Sequence, residues 1–135
     1  MSGYMQTSPG GSTFPYYYKG GALHCLKFGS FHADESALLA VMQAEEVFMA
    51  GQKRRLPVWV DFYETRLTDS VLGAFLGSMQ RLQSHISKLA VVGCAPGDKR
   101  RLHRLEKKTG IRLPLPVRFF SDPEEAKTWL VGGGK

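Results

Sequence analysis

Cysteine is scarce in this chain: Cys25 and Cys94 are the only two in 135 residues. Neither lies in a CxxC pair or a Cys/His cluster, which argues against a zinc site. Each sits in an apolar run, so both read as buried, reduced thiols of a reducing compartment. Long apolar runs are also missing, and none approaches the ~20 residues that span a bilayer. The opening MSGYMQTSPGGSTFP has neither a basic nor an apolar targeting region. These absences predict a cytoplasmic protein. The four histidines, His24, His32, His85 and His103, are scattered, with no HxxxH or HExxH. No GxSxG, GxGxxG or GxxxxGK[ST] occurs either; Gly77-Ser78 lies inside an apolar-periodic stretch. No nucleophile–base pair, metal set or cofactor loop assembles, so the expectation is a protein that is not an enzyme and holds no cofactor and no metal.

Hydrophobic residues make up 43% and charged residues 22%, an ordinary globular balance for one domain. Residues 1–14 are Gly/Ser/Pro-rich and read as a disordered tail, with a domain over 15–131 and a flexible end over 132–135. Tyr16-Tyr17-Tyr18, a Gly20-Gly21 turn and the run from Ala22 to Phe28 predict an antiparallel hairpin. Asp34 is a helix N-cap, with Ala37, Leu38, Val41, Ala44 and Phe48 on one stripe and Gly51 as the stop. Val58-Trp59-Val60-Asp61-Phe62 suits an inner parallel strand buried on both faces. Thr68-Asp69-Ser70 opens a helix carrying Leu72, Phe75, Leu76, Met79 and Leu82, in which Gly73 and Gly77 suggest close packing. Leu89 to Gly93 is a further buried strand. A short helix follows from Gly97-Asp98 to Thr109-Gly110, then a last strand at Val117-Arg118-Phe119-Phe120. Ser121-Asp122-Pro123-Glu124 then starts a closing helix with Ala126, Trp129 and Leu130 inward. The order β-β-α-β-α-β-α-β-α predicts an α/β fold: a mostly parallel central sheet with an N-terminal antiparallel hairpin edge and about four helices.

The stretch VWVDFYETRLTDSVLGAFLGSMQRL resembles the central segment of STAS (anti-sigma factor antagonist) domains. There, a hydrophobic strand ends in Asp and an Asp-Ser pair opens the next helix; Asp61 and Asp69-Ser70 stand in the corresponding places. KLAVVG and VRFFSDPEEAKTWL are similar to the later half of the small bacterial STAS-like group related in fold to lipid-transfer domains. The resemblance covers residues 15–131 and implies a regulatory module that docks a protein partner around residues 68–77, through Asp61, Asp69, Ser70, Val71 and Gly73. In switch-type members, a Ser or Thr two residues after the Asp is phosphorylated. Here that position is Val71, and Ser70 is the neighbouring hydroxyl, re-aimed by one ~100° helical step.

Three further chemistries are legible. Asp61, Glu64 and Asp69 fall near the carboxyl end of the central strand, where they could gather around a cation or lie apart as cap and loop residues. Leu39, Met42, Val47 and Met49 are surplus apolar residues on the first helix, suited to a small apolar ligand, a lipid or a second copy of the chain. The net charge is +6, and Lys99, Arg100, Arg101, Arg104, Lys107, Lys108 and Arg112 crowd one short helix, with Lys53-Arg54-Arg55 elsewhere. Such a patch suits an anionic surface. It lacks aromatic interleaving and any nucleic-acid signature, which disfavours nucleic acid.

Overall fold

A parallel sheet that adds strands in one direction, through right-handed crossovers, must put every connecting helix on one face. In the computed structural model, which describes residues 6–132, the chain obeys that rule. The elements are β1 (Gln6–Thr7), β2 (Thr13–Phe14), β3 (Tyr16–Tyr18), β4 (Gly21–Lys27), α1 (Glu35–Ala50), β5 (Leu56–Asp61), α2 (Asp69–Arg81), β6 (Ile86–Val92), α3 (Pro96–Thr109), β7 (Val117–Phe120) and α4 (Pro123–Leu130). The main sheet runs β3-β4-β5-β6-β7, with β3 antiparallel and the other neighbours parallel. The predicted α/β class with its antiparallel edge is therefore the observed one.

Helices α1, α2 and α3 pack on one face, where Leu26, Val58, Val60, Leu89 and Val91 meet Leu38, Met42, Leu72, Phe75, Met79 and Leu102. Among the described helices, only α4 packs on the other, setting Ala126 and Leu130 against Leu23, Ala90 and Val92. Register aligns two rows on that thinly covered face: Cys25, Trp59, Ala90 and Arg118, then Lys27, Asp61, Val92 and Phe120. Strand β5 is the inner strand expected, but it is not sealed on both faces. Val58 and Val60 are fully buried while Trp59 and Asp61 are half-buried, because one helix cannot cover the whole sheet.

Three expectations are corrected. The hairpin turns at Lys19-Gly20, both at positive φ (48° and 84°), with Tyr18 paired to Gly21; this is the geometry a two-residue turn needs. The buried row of α1 is Leu38, Met42, Glu45 and Met49 rather than the stripe through Ala37 and Ala44. Met42 and Met49 are thus buried in the core, and Met42 also lines the groove between α1 and α2. The disordered-tail reading fails for residues 6–14: β1 and β2 form a hairpin that buries Ser8, Ser12 and Phe14. Phe14 sets its ring edge-on to His24 and Phe48, with centroids 5.0 and 5.1 Å away. Residues 1–5 and 133–135 of the predicted tails lie outside the described residues.

Candidate functional site

The loop from β5 to α2 is fixed before it reaches the helix. Asp61 Oδ1 accepts the Tyr63 amide at 2.9 Å. Thr65 Oγ1 donates to the Phe28 carbonyl at 2.7 Å and accepts from the Phe31 amide at 3.1 Å. Leu67 is buried as an anchor. The cap of α2 is Thr68, whose hydroxyl accepts the Val71 amide at 3.1 Å and donates to Glu35 Oε1 at 2.8 Å. Asp69, one residue later, instead takes Arg101 Nη1 at 3.1 Å. The same guanidinium reaches Asp98 at 2.7 Å and donates to the Leu67 carbonyl. The start of α2 is thereby held from α1 through Glu35 and from α3 through Arg101.

The residues predicted for partner docking divide accordingly. Asp69, Ser70 and Gly73 come together, with Asp69 and Ser70 exposed. Val71 is fully buried and cannot touch a partner. Asp61 lies on the opposite sheet face, in register with Lys27 and Val92, and belongs to a different surface. The close packing inferred at Gly73 is absent: a Cβ there would meet nothing within 4 Å, and at Gly77 it would meet only the flexible end of Arg81. Ser70, Ala74 and Ser78 follow one another at i, i+4 along α2. That row leads into a groove of about 450 Å³ between α1 and α2, lined by Leu39, Val47, Ala74 and Ser78. Val47 is 69% exposed. Arg81 closes the groove with two bonds to Glu46, at 2.6 and 2.9 Å, and these hold the Glu46 carboxyl below its ordinary range.

No family model, curated protein or solved structure matches this chain. Its chemistry is therefore judged from its own side chains. Among the described residues, no three His, Cys, Asp or Glu side chains gather as metal ligands. Asp61, Glu64 and Asp69 stay apart, in line with their reading as loop and helix-start residues. Among the described helices, none is long and apolar enough to cross a membrane. On α3, Arg100, Arg104, Lys107 and Lys108 are exposed, as is Arg112 just after it. Lys99 instead lays its ammonium 5.6 Å from the Phe119 ring centre. Arg101 is removed from the proposed anion site, since its two carboxylates and one carbonyl already occupy it.

The start of α3 does not activate Cys94. Burial first, and then the nearby Asp98 carboxylate, push its thiol up to about 12; burial does the same to Cys25. At pH 8 roughly one such thiol in ten thousand is ionised. The folded chain should therefore react with a chromogenic disulfide reagent far more slowly than the chain in urea, where both thiols should titrate at once. A Cys94 that reacts in the folded chain at the rate of a free cysteine contradicts this.

Sequence reasoning passed over two arrangements. One is the buried pair His24–Glu45; its signal was a histidine inside an apolar strand facing a carboxylate at the 38-42-45-49 spacing. The other is Lys127, whose ammonium lies 5.8, 4.9 and 5.0 Å from the ring centres of Tyr16, Tyr18 and Trp59. Its rings come from two strands, Tyr16 and Tyr18 from β3 and Trp59 from β5, and local spacing carries no trace of their meeting with α4.

Proposed function

We propose that this chain is a non-enzymatic, STAS-like regulatory module that docks a protein partner on the start of α2 and the α1–α2 groove behind it. One observation carries the reading. The first turn of α2 is clamped by Glu35 on Thr68 and by Arg101 on Asp69, while its outward groups, Ser70 and the open flank of Gly73, are left uncommitted near the groove that Val47 and Leu39 line. A rigid, partly apolar surface with small residues lowers the ordering cost of association. Ser70 offers an accessible hydroxyl at a helix start, where free N–H groups and the helix dipole tolerate a phosphate. A buried thiol at Cys25 and a half-buried one at Cys94, both of raised pKa, suit a reducing compartment, so the cytoplasm is the proposed location.

The test is capture from the native host with the tagged full chain, followed by titration of the purified partner. Gly73→Arg and Ser70→Arg should each weaken binding at least about tenfold, the loss expected when a central contact is blocked. The urea midpoint should not fall, because neither site is packed and Gly73→Arg also removes a helix-interior glycine. Arg100→Glu/Arg104→Glu should leave affinity intact. A partner lost only with the α3 double variant would move the reading to an anionic-surface binder. Unchanged affinity in all three variants would remove both surfaces. A second copy of the chain as the captured partner would be a homodimer through the same face.

A further inference from the structure

Among the described helices α4 alone covers the second sheet face, and a hollow of about 240 Å³ remains between it and the N-terminal hairpin. Tyr16 and Trp59 supply its aromatic walls, Cys25 a small neutral surface, and Thr13, Lys27 and Lys127 its polar groups. Two donors on residues that line this hollow lack a full set of acceptors. The Trp59 indole N–H is buried and has no hydrogen-bond partner among the described residues; native interiors rarely leave a donor in that state. The Lys127 ammonium is fixed in place by the rings of Tyr16, Tyr18 and Trp59 and by Glu124 Oε2 at 2.9 Å. An ammonium carries three donors, and the Glu124 bond uses one.

We propose that this hollow binds a small aromatic carboxylate, its ring against Tyr16 and Trp59 and its oxygens facing the Trp59 N–H and the ammonium groups of Lys127 and Lys27. No carboxylate side chain lines the hollow. Its volume is below the roughly 300–1,000 Å³ of pockets for drug-sized ligands, which selects a one-ring molecule. Charge selects a monoanion over phosphate. Asp61 neighbours Lys27 in the sheet and Glu124 holds Lys127, so the two cations are already partly balanced. Lys27 Nζ also donates to the Gly11 carbonyl at 3.2 Å, tying the hairpin tip to the rim of the hollow. Occupancy should therefore order residues 8–14 further. This site lies across the sheet from the α2 surface and does not depend on the docking reading.

Calorimetric titration of the full chain with benzoate tests the assignment. Benzoate should bind saturably, and benzamide, which has the same ring without the charge, at least about tenfold more weakly. Trp59→Phe keeps an aromatic face but removes the N–H together with the pyrrole part of the indole, and should cost at least about tenfold. Lys27→Met alters an exposed side chain that the core does not need; it should weaken benzoate and flatten the salt dependence. Absence of saturable benzoate binding overturns the proposal, as does equal affinity of the wild-type, Trp59→Phe and Lys27→Met chains.

Discussion

Replacing Glu45 by alanine should lower the unfolding free energy by about 3–5 kcal/mol, the loss typical when one member of a buried ion or hydrogen-bonded pair is removed. Glu45 is 1% exposed and its partner His24 0%. One carboxylate oxygen accepts the Ser8 hydroxyl at 2.7 Å and the Gly10 amide at 2.9 Å, and the other faces His24 Nε2 at 3.1 Å. His24 Nδ1 has no partner among the described residues, so these contacts select the tautomer with its proton on Nε2. Alanine strands three donors away from water and leaves a void beside them. The measurement is the urea midpoint at neutral pH, with amide exchange as a local reading. Gly10 and Ser12 should lose protection before the sheet does, since Glu45 is what fastens the β1–β2 hairpin to α1. Glu46→Ala is the control one residue away. Its pair with Arg81 is on the surface, where such pairs are worth about 0–1 kcal/mol. A Glu45→Ala chain as stable as the Glu46→Ala chain would show that the buried network contributes nothing.

The same network marks where the sequence stops being legible. Helix α2 was readable because Leu72, Phe75, Leu76 and Met79 carry its period, and α4 because a capping sequence precedes Ala126 and Leu130. Strand β5 announced itself through its uninterrupted apolar core. These signals are local. Residues 6–14 have no such signal, since their order comes from Phe14 meeting His24 and Phe48 and from Ser8 and Gly10 meeting Glu45, contacts between residues well apart in the sequence. The candidate site shows the same division. The sequence located the start of α2 to within a residue, because a Thr-Asp-Ser cluster must sit at a helix entrance. It could not tell which member caps, since that depends on Glu35 and Arg101 arriving from other helices. It also could not see that Val71 turns inward. The aromatic box around Lys127 was hidden for the same reason.

Gly93→Ala should destabilise the chain by about 3 kcal/mol or more, although it adds a single methyl group. Gly93 follows β6 at φ +94°, a conformation that costs an L-residue about 1–2 kcal/mol. A Cβ there would also lie 2.7 Å from the Tyr63 amide nitrogen and 2.8 Å from the Phe62 carbonyl carbon. Those are backbone atoms pinned by the Phe62 amide bond to Val92, at 2.9 Å, and by the Asp61 carboxylate on Tyr63. Neither can swing aside as a side-chain end would, so the strand–loop junction itself must move. Gly110→Ala separates the two costs. Gly110 ends α3 at φ +76° with open space around it, so alanine there should lose only about 1 kcal/mol. Equal losses at the two glycines would mean that the contact with residues 62–63 is not tight. The excess at Gly93 should also reach the proposed docking surface. Displacing Tyr63 shifts the loop that delivers Thr68 to its bond with Glu35, so partner affinity should fall in Gly93→Ala at temperatures where the chain is still folded. Gly110→Ala, remote from that loop, should leave affinity unchanged.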